Sequence, residues 1–344
     1  MASWLEEEIA CQPDLIDALI ERALPQIQMI VARLPAFSSV LIAARGSSDH
    51  AATYAKYAWA ALAGHPVALA APSLHTLYGT PPHMEGMLVV GISQSGQSPD
   101  IVAVLEEARR QGRPTLAITN DPSSPLGGVA DEVVELGVGV ERSVAATKTY
   151  SAELAVIAAF AAVWSGSADR LAELCAVPRA LEAALRGTAD LAARIAGYHA
   201  MDTCAVISRG YNYATAFEVA LKLQELTYVQ AIAYSSADFR HGPIATVASG
   251  SPVILVMPSG VVYADLLDLA HALRQRGADL LVISDASEAL ALAALPLPLA
   301  TPLPEWVSPL AAIVPGQALA LRLTLAKGLD PDAPRGLRKV TRTR

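Results

Sequence analysis

Short apolar runs alternate with helical patterns along the first half of the chain. A strand buried in a parallel sheet forms a continuous apolar run, whereas a helix packed on a sheet shows apolar positions every three to four residues. On this basis the first half predicts strands at residues 40–44, 66–70, 87–92, 115–119 and 132–136. Helices are predicted at residues 50–63, 100–111, 148–164 and 168–198. The alternation predicts an α/β fold with a parallel sheet and helices on both faces.

The second half repeats short stretches of the first half in the same order. Ala44-Arg45-Gly46 is echoed by Ser208-Arg209-Gly210, and Gln94-Ser95-Gly96 by Pro258-Ser259-Gly260, both 164 positions later. A third echo, residues 110–119 against 275–284, is slipped by one residue. Echoes at a nearly constant offset predict a duplicated domain.

The repeat and the positions of the prolines predict the order of the domains. A proline-rich loop is expected before a last helix near residues 317–327, with prolines at Pro296, Pro298, Pro302, Pro304 and Pro309. We expect a helical segment at 1–30, a first domain at 31–166, a helical connector at 167–198, a second domain at 199–328 and a C-terminal tail at 329–344.

Composition and charge narrow the possible partners. The chain has 344 residues, 53% of them hydrophobic and 17% charged, which is typical of folded domains rather than disorder. A net charge of −8 argues against a nucleic-acid or anionic-membrane partner. Glu6, Glu7 and Glu8 do not fit a signal peptide, and the apolar stretch at 155–164 is too short to span a bilayer. We therefore expect a cytoplasmic protein.

No cofactor or metal is expected from the motifs. The three cysteines, Cys11, Cys175 and Cys204, lie far apart without metal-ligand spacing, and they read as bystanders. The sequence has neither a Walker pattern nor a GxGxxG, which argues against nucleotide binding.

Two serine-rich turns stand between a predicted strand and a predicted helix. The first holds Ser47 and Ser48, and the second runs from Ser93 through Gln94 and Ser95 to Ser98. Ligands of open parallel sheets bind beyond the carboxyl ends of the strands, and hydroxyl groups together with N–H groups at a helix start can hold a phosphate. The alternative is that these serines are simple helix N-caps. Two such turns after neighbouring strands favour anion binding.

Charged residues that could carry out proton chemistry lie in the second half. Lys222 and Glu225 are three positions apart in a helical pattern, and Glu218 is one turn earlier, so all three share a helix face. Taken alone, the group reads as a surface ion pair. His241 precedes a Gly-Pro pair and is suited to acid–base work, although a lone loop histidine or a tail lysine such as Lys339 is usually just solvated.

Taken together, these strings resemble the sugar isomerase (SIS) family, specifically the isomerase half of glucosamine-6-phosphate synthase and its stand-alone relatives. The motifs that carry the resemblance are Ser93-Gln94-Ser95-Gly96, Ala145-Ala146-Thr147-Lys148, Ala220-Leu221-Lys222-Leu223-Gln224-Glu225, His241-Gly242-Pro243, and the tail motifs at 332–335 and 339–341. The resemblance implies two tandem flavodoxin-like SIS domains and a C-terminal active-site tail.

The resemblance also implies roles for particular residues. It assigns phosphate binding to Ser47, Ser48, Ser93, Gln94, Ser95 and Ser98, and sugar contact to the backbone near Val144. Glu225 would shuttle a proton between C1 and C2, and Lys222 would support the developing oxygen charge. His241 would help to open the sugar ring, and Lys339 would form a Schiff base with the open-chain ketose. In the family the histidine comes from a neighbouring subunit, which implies a homodimer.

The chain departs from the synthase pattern at its start, where Ala2 stands in place of the nucleophilic cysteine of a glutaminase domain. We therefore expect a deaminase that converts glucosamine 6-phosphate to fructose 6-phosphate and ammonia, a reading that the tail sequence Arg338-Lys339-Val340-Thr341 also favours. Two alternatives stay open: an enzyme that acts on another amino or Amadori sugar phosphate, and a non-catalytic phosphosugar sensor.

Overall fold

A computed structural model describes residues 2–339 of the chain as two compact units. The first-sheet unit comprises Asp14–Glu141, Lys148–Cys175 and, at the end of the described chain, residues 338–339. The second-sheet unit comprises residues 2–13, Arg142–Thr147 and Ala176–Leu337. Each unit contains one five-stranded parallel sheet with helices beside it.

The predicted strands of the first half all form. They are β1 (Ser39–Ala43), β2 (Val67–Leu69), β3 (Met87–Ser93), β4 (Thr115–Thr119) and β5 (Glu132–Glu135). The helices up to residue 175 are α1 (Trp4–Ala10), α2 (Gln12–Arg33), α3 (Ser47–Ala63), α4 (Ser73–Thr76), α5 (Pro99–Arg110), α6 (Pro125–Val129), α7 (Lys148–Ser165) and α8 (Ala168–Cys175).

The strand order of the first sheet places its functional edge. The order is β2-β1-β3-β4-β5, and all neighbours are parallel. The chain leaves β1 toward one side and β3 toward the other, so the β1/β3 boundary is the point at which the strand order reverses. In doubly wound sheets, ligands bind at that point, beyond the carboxyl ends of the strands. Pairing of Ala43 with Gly91 brings the ends of β1 and β3 side by side.

The second half begins with α9 (Val177–Arg186) and α10 (Leu191–Arg194). Its strands are β6 (Thr203–Ser208), β7 (Gln230–Ser235), β8 (Pro252–Val256), β9 (Asp279–Ser284) and β10 (Leu295–Pro298). Its later helices are α11 (Tyr213–Thr227), α12 (Ser236–Arg240), α13 (Tyr263–Gln275), α14 (Ser287–Leu292) and α15 (Ser308–Ala326).

The two sheets have the same topology, which confirms the duplication. The second sheet has the order β10-β9-β8-β6-β7, so its first and third strands are neighbours, as in the first sheet. The echoed stretches fall at matching places: at the ends of β1 and β6, after β3 and β8, and from the end of the preceding helix through β4 and β9. The apolar faces of the strands pack under the helices, with Val89 and Val104 in the first core and Val253 and Leu269 in the second.

Two elements differ from the prediction because proline is tolerated in particular places. Pro296 and Pro298 lie in β10 rather than in a loop, and β10 is an edge strand, where proline need not supply a ladder hydrogen bond. The last helix starts at Ser308 rather than near 317, with Pro309 in its first turn, where N–H groups lack helical partners anyway. The predicted 168–198 helix is divided into α8, α9, α10 and a 3₁₀ turn.

Helix α15 is also the one helix of the described chain that is long and apolar enough to cross a membrane. Of its most apolar window, 83% is buried inside the protein. The core helix of a soluble protein passes the same test, so α15 is weak evidence for a membrane span.

Candidate active site

The first serine turn joins β1 to α3. Gly46 has a φ of +56°, a conformation that glycine adopts without strain, and Ser47 and Ser48 form the first residues of the helix. The Ser48 hydroxyl donates a 2.7 Å hydrogen bond to Glu153 of α7, and both side chains are buried. Ser48 can therefore offer a ligand its backbone N–H, while its hydroxyl proton is engaged by the carboxylate.

The second serine turn joins β3 to α5. The Ser93 Oγ accepts the Gly96 N–H at 3.1 Å, and the Ser95 Oγ accepts the Gln97 N–H at 3.3 Å. Gly96 has a φ of +60°, and a Cβ there would lie 1.9 Å from the Ser124 Oγ. Ser98 is the N-cap residue of α5, yet its side chain makes no capping hydrogen bond within the described chain. The simple N-cap alternative is therefore wrong for the Ser98 hydroxyl.

Together the two turns provide hydrogen-bond donors for an anion. The Asp49 and Ile101 N–H groups donate to the Gly46 and Ser98 carbonyls, and Pro99 has no N–H, so the N–H groups of Ser48 and Asp100 are the ones that precede the helical hydrogen bonds. Each helix start carries a partial positive charge. Neighbouring strands β1 and β3 bring both starts to the same edge of the first sheet. Burial raises the pKa of the Asp49 carboxyl in α3, while the charges of His50 and Arg45 oppose that shift. This edge can bind a phosphate group without a basic patch.

The charged group of α11 is buried, so the surface ion-pair alternative is wrong. The Lys222 Nζ lies 3.3 Å from the Glu218 Oε1 and 2.5 Å from the Glu225 Oε2. The Lys222 side chain is 1% exposed and that of Glu218 is fully buried, whereas Glu225 is 22% exposed. Buried charges require such pairing. Glu225 is the carboxylate of this group that a ligand can reach, with an ammonium group beside it.

His241 and Val144 lie elsewhere in the second-sheet unit. His241 follows α12 on the surface, and its N–H donates to the Asp238 carbonyl at 3.0 Å. Val144 is half-buried in the segment Arg142–Thr147. The Glu8 carboxylate holds that segment by accepting the N–H groups of Arg142 at 2.6 Å and Ser143 at 3.2 Å.

Lys339 is the last described residue, and it belongs to the first-sheet unit. Its ammonium donates to the fully buried Glu141 carboxylate at 2.7 Å. Glu141 also accepts the hydroxyl of Thr149 at 2.5 Å. Lys339 must leave this carboxylate before it can react as an amine. Residues 340 and 341 of the tail motif lie outside the described residues.

The tail before Lys339 is fixed by contacts that the sequence pattern did not indicate. The Asp332 carboxylate accepts the N–H groups of Trp4 at 2.9 Å and Leu5 at 3.1 Å, at the start of α1. The guanidinium of Arg335 stacks 4.5 Å above the Tyr228 ring, at the end of α11. Tyr228 has a φ of +59°, which is unusual for a residue with a side chain.

The sequence reasoning missed several partners of the predicted site residues. Glu153 and Glu141 engage Ser48 and Lys339, and Arg45 forms an ion pair with Asp100. Arg45 was visible as the centre of the echo Ala44-Arg45-Gly46, but nothing in the sequence named its partner. Each of these pairs is separated by more than fifty residues along the chain.

Comparison with known proteins places the chain in a family. The SIS domain model matches residues 37–163 and 199–294, within the two ranges expected for domains. The chain is 36% identical over 314 residues to a glutamine–fructose-6-phosphate aminotransferase (isomerizing) from Gloeobacter violaceus, with 87% of this chain and 51% of that protein covered. The chain therefore spans about half the length of the curated relatives it matches.

Two solved structures share the fold over almost the whole chain. A candidate phosphosugar isomerase from Silicibacter pomeroyi superposes with a TM-score of 0.84 at 31% identity, covering 96% of this chain and 100% of that one. The C-terminal domain of glucosamine-fructose-6-phosphate aminotransferase from Francisella tularensis gives 0.83 at 25% identity, covering 97% and 99%. The expected α/β architecture is confirmed, and the chain belongs to the SIS domain family.

Proposed function

We propose that this chain is a phosphosugar isomerase that deaminates glucosamine 6-phosphate to fructose 6-phosphate and ammonia. The observation that carries the proposal is the α11 group, in which Lys222 is buried against Glu218 and the more exposed Glu225. An aldose–ketose proton transfer needs one carboxylate base and a cationic partner for the oxygen that gains charge. The names of the Gloeobacter and Silicibacter proteins, an isomerizing aminotransferase and a candidate phosphosugar isomerase, support the same chemistry.

In this proposal the serine turns hold the substrate phosphate. The donors are the hydroxyls of Ser47, Ser93, Ser95 and Ser98, the Gln94 amide, and the N–H groups at the starts of α3 and α5. A phosphate monoester carries close to two negative charges at neutral pH, and the two helix starts offset part of that charge. The backbone near Val144 contacts the sugar.

The proposed proton transfer takes place on the open-chain sugar. Glu225 removes the proton from C2 of the aldehyde form, and the electron pair moves onto the carbonyl oxygen to give an enolamine. Lys222 stabilises the negative charge on that oxygen. Glu225 then returns the proton to C1, which leaves an imine at C2. Water adds to the imine carbon and ammonia leaves, so the products are fructose 6-phosphate and ammonia.

Two further residues have proposed roles at the two ends of this sequence. His241 assists ring opening, which precedes the proton transfer. Lys339 forms a Schiff base with the ketone of the open-chain product in the reverse direction, once it has left Glu141. Borohydride added with fructose 6-phosphate should then attach the sugar to the tail peptide, and labelling of a different peptide would remove this role. The cytoplasmic homodimer stays a prediction.

The direct test is the release of ammonia and fructose 6-phosphate from glucosamine 6-phosphate by the purified chain without glutamine. Both products should form in equal amounts. Formation of fructose 6-phosphate from an aldose phosphate, with no ammonia from the amino sugar, would instead favour a plain isomerase, as the name of the Silicibacter protein suggests. Saturable binding without turnover of any amino, Amadori or aldose phosphate would replace the enzyme with a sensor.

A further inference from the structure

Arg45 and Asp100 connect the two serine turns. Arg45 lies two residues beyond the end of β1, and its Nε donates to the Asp100 Oδ2 at 2.8 Å. Asp100 is the second residue of α5, and its other oxygen accepts the Ile101 N–H at 3.0 Å. The Asp100 side chain is fully buried, whereas that of Arg45 is 47% exposed. The ion pair therefore ties the turn that begins α3 to the first turn of α5.

The position of this pair matters because both serine turns extend beyond the last hydrogen-bonded residues that join β1 to β3. The last paired residues of β1 and β3 are Ala43 and Gly91. Beyond them, no strand pairing joins the Ser47–Ser48 and Ser93–Ser98 turns to each other, although Ser93 itself still pairs with Thr119 of β4. A phosphate held by donors from both turns needs that separation to be correct, since donors displaced by about 1 Å lose much of their effect.

We propose that Arg45 and Asp100 are positioning residues that set the spacing of the two serine turns for phosphate. The proposal rests on the phosphate-binding role of those turns given above. The pair has no net charge, so it adds little long-range attraction for an anion. It acts through geometry: the buried Asp100 carboxylate anchors the guanidinium, and the guanidinium holds the first turn.

This proposal and simple electrostatics predict opposite effects of Asp100→Asn on the affinity for phosphate. Asp100→Asn removes a negative charge beside the anion-binding edge, so charge alone would make phosphate bind more tightly. If Asp100 acts by anchoring Arg45, the same substitution loosens the turns and weakens phosphate binding. A residue that served only to attract phosphate would behave differently again, because Arg45→Met would then weaken binding while Asp100→Asn would not.

The duplicated fold supplies a matched control. In the second-sheet unit, Arg209 follows β6 and pairs with Asp265 of α13 at 3.1 Å, the counterpart of the Arg45–Asp100 pair. Asp265 also pairs with Arg240 at 3.0 Å. In the turn beside it, negatively charged carboxylates accept the N–H groups: Ser259 donates to Asp285 at 2.6 Å and Val261 donates to Glu305 at 2.7 Å. Arg209→Met should therefore leave phosphate affinity unchanged.

The experiment measures the affinity for inorganic phosphate by titration calorimetry in wild type, Arg45→Met, Asp100→Asn, the double variant and Arg209→Met. Each single change in the first pair should weaken binding about tenfold, or ~1.4 kcal/mol. The double variant should be no weaker than either single, since both remove the same interaction. Arg45→Lys should recover part of the loss. Tighter binding by Asp100→Asn, additive losses, or an equal loss in Arg209→Met would each overturn the proposal.

Kinetics and unfolding separate positioning from general damage. The KM for glucosamine 6-phosphate should rise in the Arg45 and Asp100 variants while kcat changes little. The unfolding temperature should fall in Arg45→Met, which leaves the buried Asp100 carboxylate without its cation, and should stay closer to that of wild type in the double variant. A fall in kcat with unchanged phosphate affinity would also contradict the proposal. If wild type binds phosphate with these dependences but turns over no phosphosugar, the proposed function fails and the positioning role stands. If wild type binds no phosphate, the positioning role fails.

Discussion

The turns after the third strand of each sheet, residues 93–98 (the β3 turn) and 257–262 (the β8 turn), occupy the same place in the fold and differ in which groups accept their N–H hydrogen bonds. In the β3 turn the Gly96 and Gln97 N–H groups donate to the serine oxygens of the same turn. The β3 turn carries side chains that can donate hydrogen bonds, namely those of Ser93, Gln94, Ser95, Gln97 and Ser98. After β8, the corresponding positions are Met257, Pro258, Ser259, Val261 and Val262. In the β8 turn, the Ser259 and Val261 N–H groups donate hydrogen bonds to the carboxylates of Asp285 and Glu305.

This difference shows how a duplicated fold can keep its geometry and lose a binding site. A helix start beyond a switch point has donors that must be satisfied by something. In the β8 turn the protein's own carboxylates accept hydrogen bonds from these N–H donors, and a Cβ on Gly260 would lie 2.4 Å from the Glu305 carboxylate. In the β3 turn the Gly96 and Gln97 N–H groups go to the turn's own serine oxygens rather than to carboxylates, and the serine hydroxyl protons are the donors that the proposed function gives to phosphate. The proposed function therefore predicts one phosphate site for each chain.

The helices after the first strands diverge in the opposite direction. Helix α3 begins with Ser47 and Ser48, and its Trp59 ring packs against the Phe160 and Trp164 rings of α7. Helix α11 instead carries Glu218, Lys222 and Glu225 on one face. The proposed function therefore assigns phosphate binding to the first-sheet unit and proton transfer to the second-sheet unit.

The largest effect is expected from Glu225→Gln, which removes the proposed base and keeps the shape of the side chain. Loss of a general base should lower kcat by ~10³-fold, within the usual range for such groups. Fructose 6-phosphate affinity should stay within a few-fold of wild type, because the phosphate donors are in the other unit. Steady-state kinetics and calorimetry measure the two quantities. Glu182→Gln, at an exposed position of α9, is the control, and a parallel loss of binding and turnover would contradict the division.

A matched pair of glycines tests the two turns directly. Gly96→Ala places a side chain at φ +60° and against the Ser124 Oγ, so the β3 turn must move. Left-handed backbone costs ~1–2 kcal/mol for a residue with a Cβ, and we expect the KM of the phosphosugar to rise about tenfold. Gly260→Ala displaces the Glu305 side chain from the β8 turn and should leave that KM unchanged. Similar KM increases in both variants would remove the distinction between the turns.

A smaller effect is expected when the β8 turn loses the Glu305 carboxylate. Glu305→Ala leaves the Val261 N–H without this partner and should destabilise the protein by about 1 kcal/mol. Chemical denaturation measures this change. The number of phosphates bound per chain should remain one, because Met257, Pro258 and Val262 supply no side-chain donors. A second phosphate in this variant would show that Glu305 alone closes the turn.

The smallest effect concerns the pH dependence of the Arg209–Asp265 pair. Burial by itself would raise the pKa of Asp265, but hydrogen bonds from Ser236 and Arg209, together with the charges of Arg240 and Arg209, lower it overall. A lowered pKa stabilises the folded state above the unfolded carboxyl's pKa, and that stability is lost as the pH falls through the folded value. Wild type should therefore exceed Asp265→Asn in stability at neutral pH, and the gap should narrow in acid. A gap that widens in acid would contradict this sign.

Apolar patterning predicted the architecture because each buried strand is a local feature of the sequence. The five strands of the first sheet and the start of α7 at Lys148 lie within a residue or two of their expected bounds. The start of α15 was missed because Pro309 was assigned to the proline-rich loop. In the structure, burial of almost the whole helix outweighs the cost of the interior Pro315. Tertiary packing decided what local preference did not.

The site could be predicted only in part, because its residues are recognisable but their contacts are not. The spacing of Glu218, Lys222 and Glu225 gave a shared helix face, yet nothing local distinguishes a buried face from an exposed one. The partners of Arg45 and Val261 lie 55 and 44 residues away in sequence. Such pairs depend on the sheet order, which periodicity does not supply.

The most direct test of the account is a calorimetric titration of fructose 6-phosphate into wild type, Ser95→Ala and Ser259→Ala. These serines are the corresponding residues of the two turns, 164 positions apart. The account predicts one sugar phosphate per chain, weaker binding in Ser95→Ala and unchanged binding in Ser259→Ala. Two sites per chain, or weakening by Ser259→Ala equal to that by Ser95→Ala, would contradict it.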